Sequence, residues 1–380
     1  MRGCGTKHPR FVADVFAWIV GLLLGAFTLR RALCWIASLL PWRACSEDRS
    51  RSVSVLVAAR NEAAGLPRLL TALERIDYPA ELLNVVLVSD GSTDQTSEIM
   101  SRWAEAGLNR KATLLQKNRG KAAALQVALE AAPRAELIIV LDADAVPEPP
   151  AIARIVGAFR DPRVGAACGY PDPGKNHAST AAKYAALERW VSHLVTFAAK
   201  DRLNSQPPVI GAFCCIRAEA LQGIGGFPQG TMVEDIHVSL ALSRAGWKTR
   251  WIGSAVARED VPADLNGFRL QRLRWSRGMM AIGHKARGIE ELFVVAGYLD
   301  RLVLVAALAL TLLGLLPWWL LATSVAVPAV IILTALAKAG MLGHPAYLWS
   351  IVPMTLADLG VTAEAALAQI ARRPLRWAQR

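Results

Sequence analysis

The sequence predicts an α/β protein in which a mainly parallel sheet, covered by helices on both faces, is joined to transmembrane and interfacial helices. Three observations carry this. Between residues 50 and 265, extended and helical patterns alternate four times with short turns, the order that builds a parallel sheet. Residues 11–29, FVADVFAWIVGLLLGAFTL, and the nearly uncharged stretch 302–337 are long enough to cross a bilayer. The run LIIVLDADAVPEPPA at 137–151 is aliphatic enough for the middle of a sheet yet ends on two carboxylates, Asp142 and Asp144.

The first element is the apolar run at 11–29, followed by Arg30 and Arg31. Its length, the lack of a clear small-residue cleavage site and the basic amphipathic stretch behind it favour an uncleaved anchor over a signal peptide. More basic residues follow it (Arg30, Arg31, Arg43, Arg49, Arg51) than precede it (Arg2, Lys7, Arg10). That bias puts the soluble region on the cytoplasmic side of an inner membrane. Residues 1–49 are therefore read as anchor and linker.

The soluble region, 50–265, opens with the β-branched run VSVLVAA at 53–59. Asn61 and Glu62 then lead into a helical pattern through Leu66, Leu69, Leu70 and Leu73. A second strand, NVVLVSD, ends in Asp90, and Ser92 and Thr93 cap the helix after it. A third strand near 111–115 precedes KNRGKAAALQVALEAA, whose alanine content favours helix. The fourth strand ends at Asp142.

Ligands of parallel sheets bind beyond the carboxyl ends of the strands. One pocket therefore gathers Ala59, Arg60, Asn61 and Glu62 after the first strand, Asp90 after the second, and Asp142 with Asp144 after the fourth. In an extended chain Asp142 and Asp144 project to the same side. Two such carboxylates repel and resist desolvation, and a divalent cation carrying phosphate oxygens would compensate both. A polar strand end entering a loop is the plainer reading of these two residues alone. No GxGxxG or Walker sequence is present, so bound phosphate must be held by a metal and by side-chain cations. Lys121, at the start of the alanine-rich helix, is the candidate cation, although an exposed lysine explains it as well.

The formal net charge of +12 does not indicate nucleic acid. Basic residues cluster beside apolar segments without an interleaved aromatic motif, and anionic lipid headgroups are the expected counter-charge. The six cysteines contain no CxxC pair, so neither a zinc site nor a disulfide framework is indicated.

The C-terminal part, 301–380, is read as transmembrane. Residues 302–337 accommodate two spans if the chain turns near Pro317 or Ala322. A third candidate, 347–370, contains Asp358 and Glu364, so it either spans beside protein or lies at the interface. Between the two parts, 266–300, FRLQRLRWSRGMMAIGHKARG reads as a basic amphipathic helix on the membrane, with Phe268, Leu273 and Met279 down and arginines toward headgroups. His284, solitary in this basic segment, is read as an interfacial side chain rather than a metal ligand.

VSVLVAARNE, LVSDGSTDQT, VLDADAVPEP, GAFCCIRAEAL, MVEDIHVSLALSRAGW and QRLRWSRG occur in that order. The chain resembles the membrane-bound, processive type of family 2 glycosyltransferases, such as poly-N-acetylglucosamine, hyaluronan, chitin and cellulose synthases, over residues 52–285. The resemblance implies a GT-A-type nucleotide-sugar-binding domain. Asp90 would contact the nucleoside, and Asp142 and Asp144 would form the DxD site for Mg2+ or Mn2+. Asp235 would be the catalytic base beside Glu234. Gln271, Arg274 and Trp275 would be the QxxRW motif at the diphosphate and acceptor. Ala59, Asn61, Glu62 and Lys121 are expected on the donor side. Val233 departs from the family's usual Thr, which bears on the hydrogen bonding around the base.

These roles suit the chemistry. A diphosphate leaving group needs neutralising, which a metal does without proton transfer. An acceptor hydroxyl needs a carboxylate within hydrogen-bond reach. Acids at 234 and 235 also suit a helix N-terminus. The expected partners are a nucleotide-sugar donor, UDP-linked, a polysaccharide or lipid acceptor, and membrane lipids. A partner subunit or oligomer would be needed if polymer is exported. The competing readings are a single-addition glycolipid synthase and a non-catalytic nucleotide-sugar- or lipid-binding membrane protein, which would have no need of a base.

Overall fold

The computed structural model describes residues 7–43, 45–283 and 300–371. Its strands are β1 Val53–Ala59, β2 Leu83–Asp90, β3 Arg110–Leu115, β4 Leu137–Asp142, β5 Val146–Pro147, β6 Val164–Asp172, β7 Phe213–Arg217 and β8 Lys248–Arg258. The helices of the N-terminal half are α1 Lys7–Ser38, α2 Leu66–Glu74, α3 Thr96–Glu105, α4 Lys121–Ala131, α5 Ala151–Val156, α6 Thr180–Trp190 and α7 Ala198–Arg202. They are followed by α8 Ala218–Gly223, α9 Glu234–Arg244, α10 Leu265–Gly283, α11 Asp300–Leu312, α12 Trp318–Lys338, α13 Ala346–Trp349 and α14 Ile351–Ile370.

All eight strands form one sheet in the order β3-β2-β1-β4-β7-β6-β8-β5. The first four in that order are mutually parallel, as the sequence predicts. Beyond β4 the sheet is mixed: β7 runs antiparallel to both β4 and β6, β8 is parallel to β6, and β5 is antiparallel to β8. Register sets the site. Ala58 pairs with Val88 on one side and Asp142 on the other, so β1, β2 and β4 end level with one another.

Side-chain alternation along β1 feeds two buried layers. Val53, Val55 and Val57 pack with Leu66, Leu69, Met100, Ile152 and Phe159 from α2, α3, α5 and the turn after α5. Leu56 packs on the opposite face with Leu125, Leu187, Trp190 and Val238 from α4, α6 and α9. The second layer also takes in Ile331, Ala335 and Leu336 of α12, which ties the sheet to an apolar helix.

Among the described residues, three helices are long and apolar enough to cross a membrane: Val12–Ser38 within α1, Trp318–Lys338, and Ala346–Ile370. The turn expected near Pro317 is present, with Gly314 at φ +72 and Pro317 as the N-cap of α12. The first half of 302–337 lies in α11, whose described part is the apolar helix Asp300–Leu312. It packs against α1 through Ala307 and Leu310 onto Ala17, Val20 and Leu24.

The third apolar helix behaves as its acids suggest. Arg269 of α10 grips Glu364 at 3.0 and 2.6 Å, and Arg272 pairs with Glu188 of α6 and lies 4.0 Å from Asp358. Phe268 is fully buried against Tyr184 and Met354, and Met279 is buried with Val233 and Ile282. These two side chains therefore face protein, which corrects the reading that α10 turns them toward lipid. His284 lies outside the described residues.

Candidate active site

The loops after β1 and β2 are stitched together before they meet any ligand. Asn61 adopts φ +56, a conformation its short amide tolerates, and its Oδ1 accepts from the Thr93 N–H at 2.8 Å. The Glu62 N–H donates to Thr96 Oγ1 at 2.8 Å, and the Ala63 N–H to Asp94 Oδ2 at 3.1 Å. Asp90, buried at the end of β2, accepts from the backbone N–H groups of Arg119 at 2.7 Å and Gly120 at 2.8 Å. Gly120 has φ +88, which a side chain would resist, and the next residue is Lys121. Asp90 thus fixes the turn that aims Lys121.

Lys121 is the hub of the site. Its Nζ lies 2.5 Å from Asp142 Oδ1 and 3.2 Å from Glu234 Oε1. Burial alone would lower the pKa of this ammonium, but Asp142, Glu234 and Asp235 outweigh burial and raise it. The close approach depends on Gly211, since a Cβ there would sit 2.9 Å from Lys121 Nζ. The Gly211 N–H in turn donates to Asp235 Oδ2 at 3.1 Å, while Asp235 Oδ1 accepts from the Ile236 N–H at 2.8 Å. Burial, and then the neighbouring Glu234, push the Asp235 carboxyl up to about 6, against Lys121 and the two N–H donors.

Asp144 does not lie in the strand: β4 ends at Asp142, and residues 143–144 form a turn closed by Ala145 N–H to Asp142 O at 3.0 Å. A turn, not strand alternation, therefore sets the spacing of Asp142 and Asp144. Ligand oxygens of Asp142, Asp144 and Glu259 lie within 4.8 Å of one another. Glu259 follows β8, is buried, and pairs through both carboxylate oxygens with Arg189 of α6. Burial raises its carboxyl above the usual range despite Arg189, with Asp144 and Asp142 adding to the rise. Three carboxylates held this closely form an all-oxygen donor set suited to a hard divalent cation such as Mg2+ or Mn2+.

A cavity of about 450 Å3 opens over these groups. Its lining brings together Ala59, Asn61, Glu62, Asp90, Lys121, Asp142 and Asp144 from the strand ends with Gln271 and Arg274 from α10. Glu234 and Asp235 lie on the far side of Lys121, at a small hollow with Val209, Gly211 and Phe227. Trp275 is outside the lining, its ring 5.2 Å from the Arg272 guanidinium.

Residues 50–278 match the family model described as "Glycosyltransferase like family 2". The chain belongs to this family. Among its relatives, a poly-beta-1,6-N-acetyl-D-glucosamine synthase of Staphylococcus aureus (strain COL) is 28% identical over 279 residues, 71% of this chain and 63% of that protein. A probable glycosyltransferase of Bacillus subtilis (strain 168), YdaM, is 24% identical over 261 residues, 68% of this chain and 61% of that protein. The match thus spans less than two thirds of either relative. Among solved structures, mannosyltransferase PcManGT from Pyrobaculum calidifontis, in complex with GDP-Man and Mn2+, aligns with TM-score 0.60 at 23% identity, covering 94% of this chain and 99% of that one. The fold is therefore that of the GT-A glycosyltransferases.

Within the family frame, Val233 has a packing reason. It contacts α10 at Gly278, where a Cβ would lie 2.7 Å from Val233 Cγ1, so the apolar side chain seats α10 against the start of α9 at Glu234 and Asp235. Glu259 and Arg189 were missed by sequence reasoning. The only local signal is an acid directly after a long strand, in the segment ARED, and nothing in the sequence says that this strand returns beside β6.

Proposed function

We propose that this chain is a membrane-associated, inverting glycosyltransferase that moves a sugar from a nucleoside-diphosphate donor, UDP-linked, to a polysaccharide or lipid acceptor. The observation that carries the reading is the acidic cluster Asp142, Asp144 and Glu259, of which Asp142 and Asp144 line the same cavity as Gln271 and Arg274. A divalent cation held there would neutralise the departing diphosphate. Arg274 supplies a fixed positive charge to the same phosphates, and Asn61 and Asp90 shape the nucleoside end.

Lys121 acts between the two halves. With donor bound, its ammonium exchanges Asp142 for a phosphate oxygen while keeping Glu234, which clears a path from the cavity to Asp235. Asp235 then accepts the acceptor hydroxyl's proton as that oxygen attacks the anomeric carbon from the face opposite the diphosphate. Its raised pKa makes it a stronger base than an exposed aspartate while leaving it ionised at neutral pH. Trp275, beside Arg272 on α10, is assigned to the acceptor.

Single addition to a lipid has its own support. Asp358 and Glu364 of α14 are occupied by arginines of α10. Three candidate spans among the described residues are few for enclosing a polymer. A polymer product would require a second copy or a partner subunit. Nucleoside diphosphate release from a panel of UDP- and GDP-sugars, with Mn2+ or Mg2+ and mass spectrometry of the product, tests the proposal. Failure of every donor to bind or turn over in full-length, folded protein would overturn it.

A further inference from the structure

A second cavity, of about 170 Å3, lies at the opposite end of β8 from the acidic cluster, between the segment leaving α1 and the helix α7. Trp251 lines it and pairs with Cys168, four positions of β6 or roughly 13 Å before the Asp172–Arg258 pair that precedes Glu259, and its lining shares no residue with that of the donor cavity. Trp42, Arg43 and Arg202 complete its wall, with the Trp42 and Trp251 rings 5.3 Å apart and the Arg202 guanidinium 6.0 Å from the Trp42 ring.

Its charge is unbalanced. Arg43 donates to Asp201 O at 3.2 Å and Asn204 Oδ1 at 2.6 Å, and Arg202 to Pro41 O at 3.2 Å. Neither makes an ion pair with a carboxylate among the described residues. The nearby carboxylate of Asp201 is already taken by Arg250 at 2.5 and 3.3 Å and by the Trp251 N–H at 3.2 Å. The position is equally specific. Two candidate spanning helices end here together, since Nζ of Lys338, the last residue of α12, donates to the carbonyl of Ser38, the last residue of α1, at 2.7 Å. The next residues expose apolar side chains: Leu39 is 55%, Leu40 52% and Trp42 52% accessible. Apolar side chains above two uncompensated guanidiniums match acyl chains above a phosphate.

We propose that this hollow binds the phosphate of an anionic phospholipid and fastens the catalytic domain to the bilayer surface. The site rests on the reading of α1 and α12 as membrane spans, and the test separates the two. Full-length protein in neutral detergent is titrated with phosphatidylglycerol, phosphatidylcholine or inorganic phosphate, following thermal unfolding and retained lipid by native mass spectrometry. Phosphatidylglycerol should be retained and raise the unfolding midpoint, and phosphatidylcholine should not.

Arg43→Gln/Arg202→Gln should bind phosphatidylglycerol about thirty-fold more weakly, from the loss of two basic residues at a membrane surface. Arg43→Lys/Arg202→Lys should retain much of the binding. Equal affinity in the Gln variant overturns the site, as does equal stabilisation of the wild type by inorganic phosphate. If the Gln variant is unfolded by circular dichroism, the wild-type contrast between the two lipids decides, and loss of that contrast overturns the proposal. Flotation of the wild type with vesicles is measured alongside; a protein that stays at the bottom sinks the membrane reading itself, and the lipid site with it.

Discussion

The ammonium of Lys121 lies 2.5 Å from Asp142, a residue of the acidic cluster, while contacting Glu234, neighbour of the proposed base, at 3.2 Å. One cation thus balances acids from two ends of the site, and the position of that cation is set by Asp90 through the Arg119 and Gly120 N–H groups. Replacing Lys121 with Ala leaves two carboxylates without their counter-charge. The expected cost is about 2 kcal/mol, below the roughly 3 to 5 of a fully buried pair because Asp142 keeps some contact with solvent. Mn2+ should restore part of the loss by compensating Asp142, so the fall in unfolding midpoint is expected to be larger in chelator than in Mn2+.

Asp144→Ala is expected to abolish metal-dependent donor binding, since two oxygens-bearing side chains are too few for a cation that also carries a diphosphate. Glu259→Gln should weaken it less, because the amide oxygen can still donate. Titration of labelled donor with and without Mn2+ checks both. Unchanged metal dependence in Asp144→Ala would remove that residue from the metal site.

Asp235→Asn should keep the fold and donor affinity and lower turnover by about 10²-fold or more, the usual loss for a general base. Donor affinity is measured by equilibrium binding and turnover at saturating donor. Near-normal turnover would exclude Asp235 as the base.

The pH profile follows from the same residue. A base must be ionised, so the rate should fall as pH drops through the raised pKa of Asp235, near 6, and not through the ordinary aspartate range. Glu234 is one cause of the rise, so Glu234→Gln should move the acid limb to lower pH. An acid limb that stays in place in Glu234→Gln would separate the profile from Asp235.

Trp275→Ala should impair transfer to acceptor and leave the protein membrane-bound, since α1 and α12 hold it there independently. Transfer and hydrolysis of donor by water are assayed side by side. Intact transfer would assign Trp275 to packing with Arg272 alone.

The parallel half of the fold was legible because its information is local. β1, β2 and β4 are short apolar runs, helices follow β1, β2 and β3 within a few residues, and the residues at the strand ends fall at one edge by geometry alone. The mixed half was not legible: β6, VGAACGYPD, and β7, FCCIR, are short on pattern, and their antiparallel pairing is decided by contacts far apart in the chain. Glu259 reaches Asp142 only because β8 returns beside β6, so no spacing rule could have found it. For α10 the amphipathic pattern was right and its partner wrong. Phe268 and Met279 looked lipid-facing because a sequence does not distinguish an apolar face that meets a bilayer from one that meets α14 and Val233.

The double fastening of α10 bears on how the enzyme can be cut down for study. A fragment ending at residue 278, where the family match stops, retains every acid of the site and so looks sufficient. It would nonetheless lose Met354 from above Phe268 and Glu364 from beside Arg269, leaving a partly uncovered aromatic ring and an orphaned charge on the helix that lines the large cavity. Such a fragment should stick to itself and bind nucleotide poorly, and supplying residues 340–371 as a separate chain is the rational repair.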